Sequence, residues 1–287
     1  MPSSEGGRKR EEGGGRASPT RMFLQTVIAR AYPRVIGQQR DTSWMLFDVI
    51  LPVLGTAAYV FIYRAIHAPE EYVGFVILGG AMTAFWLNVL WSMSSQLYWE
   101  KETGNLGLYI MAPNSLMAIL LGMALGGLLA TCLRAAAIVL GGSLLFGVRF
   151  VVNDLPSLAL TFALAMTALY GMGMLFASLF LLFGREAWHI SNMLQEPVYL
   201  VSGFYFPIKS LNFWIAAGAS IIPLTLGLDA MRQLMFPSGP TLGFLSVRIE
   251  ISILFALSVL FLWLAKVSLD YMERLAIREG RITESRR

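Results

Sequence analysis

Charge is what this sequence has least of. Asp, Glu, Lys and Arg together make up 14% of its 287 residues, where a soluble domain carries about 25%. Hydrophobic residues make up 56% before the 27 glycines are counted, more apolar surface than a soluble enzyme can hide. Cysteine is nearly absent, and the single Cys132 lies inside an apolar run, which excludes a disulfide framework and a cysteine metal site. His67 and His189 stand apart with no second ligand at metal spacing, so metal catalysis is not expected. No G-x-x-x-x-G-K-[ST] phosphate loop occurs, nor any Gly-Lys pair, so the chain is not expected to hydrolyse ATP alone. A nucleophile–base pair and a paired-aspartate motif are missing as well, which speaks against a lipid-modifying enzyme. No small-residue cleavage site follows the polar N-terminus, so the first membrane helix is read as the targeting signal.

Present instead are apolar runs of membrane length. A crossing helix takes about 20 mostly apolar residues, and the mean hydropathy of +0.62 is concentrated in residues 44–63, 72–97, 115–148, 157–183 and 247–265. A further run, 188–206, is apolar except for Glu196 and ends before Pro207, which should stop a helix. The next, 211–228, is split by Pro223 into pieces too short to span. Eight Lys/Arg lie up to Arg40 and six from Lys266 onward, which places both ends in the cytoplasm by the positive-inside rule. Crossings are then even in number. Six puts sixteen Lys/Arg inside against five outside, with Arg134 left within the third crossing.

The expected fold is therefore all-α: one six-helix membrane domain over residues 20–287, with an extracellular re-entrant helical hairpin at about 207–236. Residues 1–19 read as a disordered cytoplasmic tail. Thr20 is read as the cap of an amphipathic N-terminal interface helix, in which Phe23, Val27 and Ile28 recur opposite Arg21 and Arg30. Gly122 through Gly127 and Gly171-Met172-Gly173 read as close helix-packing surfaces. Trp44, Tyr72, Trp99, Trp188 and Trp214 fall near helix ends as an aromatic belt. The basic termini suit anionic membrane lipids, and no nucleic-acid partner is expected because no aromatic platform interleaves them.

The segment between the second and third crossings, Tyr98 to Pro113, holds a charged cluster, a glycine, an apolar stretch and a proline. That is the pattern of a short amphipathic helix on the cytoplasmic membrane surface. Its run Glu100-Lys101-Glu102-Thr103-Gly104-Asn105-Leu106, with Met111-Ala112-Pro113-Asn114-Ser115 after it, resembles the "E-x-E-x-G-T-L … P-x-S" signature of type-2 ABC exporter permeases. Downstream, Ser202-Gly203-Phe204-Tyr205-Phe206-Pro207-Ile208, Ile222-Pro223-Leu224-Thr225 and Asp229-Ala230-Met231-Arg232 are similar to the family's "S-G-x-x-F-P … P-L-T-x-x-x-D-x-x-R" stretch. The chain departs from the pattern at Asn105, where threonine is usual, at Gly107, where glutamate is common, and at Asn212, where proline is frequent.

The resemblance implies the membrane half of an exporter of drugs, peptides, saccharides or lipid-linked compounds in a bacterial or archaeal plasma membrane. A separate nucleotide-binding ATPase subunit would carry ATP and Mg, and this chain would bind no cofactor. A second permease protomer, identical or a close paralogue, would complete the path, lined by the first, second and fifth crossings. The resemblance makes Glu100, Lys101, Glu102, Thr103, Gly104, Leu106 and Pro113 the coupling helix that seats in the ATPase. It places Phe204, Phe206, Pro207, Asp229 and Arg232 where the outer hairpin closes the path.

Ionisable residues within membrane segments are functional candidates in their own right. Asp48 lies near the inner end of the first crossing, Arg134 deep in the third, and Glu196 beside the helix-bending Pro197. Arg134 is expected to pair with Glu196 or with Glu250, either as structure or as a path or gate element. Asp229 and Arg232, three apart, would share a helix face as a local staple or a gate. The alternative function is a stand-alone channel or ion-coupled carrier using Arg134, Glu196 and Glu250 as a relay. Such carriers commonly show inverted repeats and more crossings, and neither is visible here.

Overall fold

A computed structural model describes residues 18–40, 42–111, 115–184, 186–236 and 239–279. Among these, every regular element is helical. Helix α1 spans Pro19–Arg40. Its cap is Ser18 rather than Thr20: the Ser18 carbonyl accepts from Met22 N at 3.0 Å and its Oγ from Arg21 N at 3.3 Å. Pro19 then occupies the first helical position, where a missing N–H costs nothing. Helix α2 is Thr42–Ala65. Helix α3, Glu71–Leu87, runs through a π-turn at Asn88–Met93 and on to α4, Gln96–Glu102. The short α5, Asn105–Met111, follows.

The long helices start and stop where side chains satisfy their end groups. In α6, Leu116–Phe146, Ser115 caps the start by accepting from Ala118 N, and Gly147 at φ +73° ends it. In α7, Leu155–Phe183, Asp154 accepts from Ser157 N at 3.1 Å, and those Ser157 hydrogen bonds hold its carboxyl below the ordinary carboxylate range. Helix α8 covers Glu186–Val201 and continues through Pro197. It ends well before Pro207 because Gly203 takes φ +71°, a left-handed conformation that terminates helices and suits glycine.

A 3-10 turn at Ile208–Ser210 leads into α9, Phe213–Ala219, and α10, Pro223–Met235. These two meet at 108°, with Pro223 opening α10 and Asn212 capping α9 by accepting from Trp214 N at 3.0 Å. A brief α11, Gly239–Leu242, precedes α12, Val247–Glu279. Helix α12 outruns the expected 247–265 because Leu269 and Met272 keep a buried face beyond Lys266.

Among the described residues, four stretches are long and apolar enough to cross a membrane: Glu71–Glu102, Leu116–Phe146, Leu155–Phe183 and Val247–Leu275. The bent α9–α10 pair makes a fifth if it is one broken span, and α2 holds a shorter apolar helix, Val49–Ala65. The 16 residues of α8 extend only about 24 Å at 1.5 Å per residue. The chain is thus an all-helical membrane protein with α3 at its centre, packed against α2, α6 and α10, while α12 packs on α7. Helix α12 turns Phe255, Val259, Trp263 and Val267 outward, a surface suited to lipid tails.

Small residues permit the tightest approaches. A Cβ on Gly122 or Gly126 of α6 would come within 2.5 and 2.7 Å of the Val27 and Ala31 carbonyl oxygens of α1. On α3, a Cβ at Gly79 would lie 1.6 Å from the Phe204 carbonyl oxygen.

Candidate functional site

Three groups of residues are candidates. The first is the segment after α4. It forms not one amphipathic helix but two short ones, α4 and α5, broken at Thr103-Gly104, where Gly104 takes φ +79°. Glu100 braces the break. Its Oε2 accepts from Tyr109 Oη at 3.0 Å and Asn105 Nδ2 at 3.1 Å, and its Oε1 accepts from Gln96 Nε2 at 3.1 Å. Thr103 Oγ1 donates to the Trp99 carbonyl at 2.9 Å. Burial first, then the Glu100 charge and hydrogen bond, push the Tyr109 phenol above its ordinary value, so it stays a donor at neutral pH. Lys101 is half-buried and Leu106 buried, while Glu102, Leu108 and Met111 face outward. Pro113 lies outside the described residues.

Helix α1 reaches into the same place. The Arg30 guanidinium sits 4.3 Å over the Tyr109 ring, and Arg34 donates to Gln96 Oε1 and Ser92 Oγ. Burial is the main cause holding Arg34 below its ordinary value, and Arg134 adds to it. Asn105, a departure from the family pattern, has become part of the brace. Glu100→Ala should therefore lower the thermal midpoint of the purified protein by several degrees, since hydrogen bonds to charged groups contribute about 1.5–3 kcal/mol each. Glu102→Ala should leave the midpoint where it is, and equal midpoints for the two variants would discard the brace.

The second group lines a cavity of about 660 Å³, open on one side, between α2, α3 with its π-turn, and α8. Phe47, Leu51, Trp91, Tyr199 and Tyr205 form its apolar and aromatic wall, and Thr83, Asn88, Ser92 and Arg134 its polar part. The Tyr170 hydroxyl donates to Asn88 Oδ1 at 3.0 Å. Trp91 Nε1 donates to Gln195 Oε1 at 2.8 Å and stacks on Trp188 at 5.6 Å, which ties α8 to the π-turn. Trp99 and Phe180 also pack on Trp188, so the inner aromatics are a packed cluster. Glu196 is exposed on α8, and its Oε1 accepts from Gln195 Nε2 at 3.4 Å. The side chain of Asp48 lies outside the described residues.

The third group joins the two downstream motif segments. Arg232 of α10 is almost wholly buried and donates to the carbonyls of Gly203, Phe204 and Phe206 as well as Phe75 of α3. It also lies 5.2 Å over the Phe75 ring. The Ser202–Pro207 turn is held from the other side by Tyr63 Oη, which donates to the Tyr205 carbonyl at 2.8 Å, and by Tyr59, stacked on Tyr205 at 3.8 Å. Phe204 is fully buried, Pro207 buried and Phe206 half-buried. Asp229 accepts from Phe244 N at 2.8 Å. Gln233 Nε2 spans Asp229 Oδ2 and Glu250 Oε2, both at 3.2 Å. Glu250, with no exposed surface, is thus placed beside Asp229 and Gln233 at the start of α12.

Sequence reasoning missed Arg30, Arg34, Tyr109, Gln195 and Gln233. Arg30, expected opposite Val27, instead lies beside it on the α1 face that meets α6, because residues three apart share a helix face. No curated protein matches the chain. A family model described as ABC-2 type transporter matches residues 24–236, a stretch that runs from α1 through α10 and holds all three residue groups except Phe244 and Glu250. The chain belongs to the ABC-2 type transporter family, as a transporter permease component rather than a catalytic domain.

Proposed function

We propose that this chain is the permease subunit of an ATP-driven exporter that moves an amphiphilic substrate out of the cytoplasm or inner leaflet. It crosses the membrane six times, by α2, α3 with the π-turn, α6, α7, α8 extended by the Ser202–Pro207 turn, and α12. Both ends are cytoplasmic. The α9–α10 bend is a re-entrant outer hairpin, and the α4–α5 segment seats in a separate ATPase subunit. One observation carries the reading: the cavity lies on an open flank of α2 and α8, where Phe47, Ile50, Leu51 and Leu54 are exposed. A second protomer laid on that flank would cover the apolar side chains and close the cavity into a path between the two copies.

The experiment has two parts. Purification of the tagged full-length chain from its native membrane should bring down a nucleotide-binding subunit whose ATP hydrolysis depends on the complex; a homogeneous protein without one would favour the channel or carrier. In a Cys132→Ser background, Leu54→Cys should form a disulfide-linked dimer on mild oxidation. Glu102→Cys should react with a membrane-impermeant thiol reagent only after the cytoplasmic side is opened, and Lys209→Cys without opening it. Labelling of both from the same side would rule out the six-crossing arrangement.

A further inference from the structure

The run Asn88–Met93 interrupts the α ladder of the stretch Glu71–Glu102 with a π-turn. There the Ser94 N–H donates to the Val89 carbonyl, five residues back, at 3.0 Å, where an α-helix would use Leu90. Ser94 Oγ donates to the same carbonyl at 2.7 Å, and Ser95 Oγ to the Trp91 carbonyl at 2.5 Å. Both serines are buried, so two hydroxyls reinforce the backbone where the ladder changes register. Three neighbouring helices hold the turn. Tyr170 of α7 donates to Asn88 Oδ1 at 3.0 Å, Trp91 Nε1 donates to Gln195 Oε1 of α8 at 2.8 Å, and Arg34 of α1 donates to Ser92 Oγ and Gln96 Oε1. Glycines make room for it: a Cβ on Gly173 of α7 would lie 2.8 Å from Val89 Cγ1, and one on Gly127 of α6 3.0 Å from Asn88 Oδ1. Asn88, Trp91 and Ser92 line the cavity, while Gln96 just beyond donates to Glu100, the brace of α4–α5. The turn therefore stands between the two on one helix.

We propose that the π-turn is a two-register joint: the Ser94 N–H passes between the Val89 and Leu90 carbonyls, and the passage turns the cavity wall against the α4–α5 segment. A π-turn carries one residue more than the α-helix it interrupts. Winding it to α lengthens the helix by about 1.5 Å and rotates one side against the other by about 100°, the rise and turn of one residue. Rotation of that size cannot leave Asn88, Trp91 and Ser92 on their partners while Gln96 stays on Arg34. Packed surroundings of this kind switch between discrete arrangements rather than deforming continuously. The two registers belong to the chain itself; the joint's part in transport rests on the export reading.

The test is hydrogen–deuterium exchange of the full-length chain in phosphatidylcholine nanodiscs, read by mass spectrometry without ATP or any partner. Amides of residues 91–96 should exchange at least about tenfold faster than those of residues 75–87, because exchange reports local opening, although both belong to one largely buried stretch. Deleting Leu90 places Ser94 four residues after Val89, so the same N–H and carbonyl meet in the α register and one register alone remains. In that variant the two segments should exchange within about threefold of each other. Equal exchange in the natural chain overturns the proposal, and this comparison needs no variant to fold. So does fast exchange that survives the deletion. If the deletion variant does not fold, Ser94→Ala decides: losing the hydroxyl bond to Val89 should speed exchange at residues 91–96 by about threefold or more and leave residues 75–87 unchanged. An unchanged rate overturns the proposal. In the assembled complex, trapping with ATP and orthovanadate should slow exchange at residues 91–96 about tenfold by committing the joint to one register; a hydrolysing complex in which that exchange does not move overturns the joint's part in transport. Failure to find an ATPase partner would undo the export reading and leave the measurement on the chain alone intact.

Discussion

Arg232→Met is expected to cost the folded protein more stability than any other single change to an ionisable side chain. The guanidinium gathers four carbonyls, those of Gly203, Phe204 and Phe206 in the turn and Phe75 in α3, and so ties together two chain segments far apart in sequence. Removing it leaves buried carbonyls without donors at a depth where water is scarce. Each bond in a membrane setting is worth about 0.6–2 kcal/mol, since an unfolded chain in lipid also finds partners. Four lost together should amount to about 2–8 kcal/mol. The loss should appear as a fall of several degrees or more in the thermal midpoint of the detergent-purified protein, with a smaller fall for Arg232→Lys, which keeps the charge and reaches fewer oxygens. A midpoint unmoved by Arg232→Met would mean that the turn at Ser202–Pro207 holds itself.

That cluster also shows where legibility in the sequence ends. The apolar runs behind α3, α6, α7 and α12 were plain, because a membrane demands continuous hydrophobicity and the chain supplies it. The two downstream motifs were plain as residues, but their junction was not. Backbone carbonyls have no letter in a sequence, so Arg232 read as the i,i+3 partner of Asp229, while its hydrogen bonds run to carbonyls and Asp229 accepts from Phe244 N. Glu100 read as an outward docking charge for a similar reason. Its partners Tyr109 and Asn105 come into range only because Gly104 turns the chain, and a glycine in an amphipathic pattern does not announce a positive φ. Arg34 finds Ser92 and Gln96 about sixty residues away, beyond any local spacing rule. The helix ends erred in both directions. Gly203 cut α8 short of Pro207, and buried Leu269 and Met272 carried α12 past Lys266.

Gly122→Ala combined with Gly126→Ala should separate movement of the ATPase from movement of the substrate. Both glycines lie under α1, and an added methyl at each would meet a backbone oxygen, of Val27 at 2.5 Å and of Ala31 at 2.7 Å. No side chain can rotate away from those contacts, so α1 must shift from α6 along two turns. Overpacking of this kind costs about 1–3 kcal/mol per site. The shift carries Arg30 off the Tyr109 ring and Arg34 off Ser92 and Gln96, and so loosens both the α4–α5 brace and the inner wall of the cavity. On the export reading, substrate-stimulated ATP hydrolysis by the assembled complex should fall by about tenfold or more. Basal hydrolysis, which belongs to the partner subunit, should persist. Proteolysis gives an independent check, because Arg21 and Arg30 should become cleavable by trypsin in the double variant at protease levels that spare the natural chain. Full stimulation together with unchanged proteolysis would show that α1 can ride higher on α6 at no cost, and that the α1 contacts with Tyr109 and Gln96 do not transmit the power stroke.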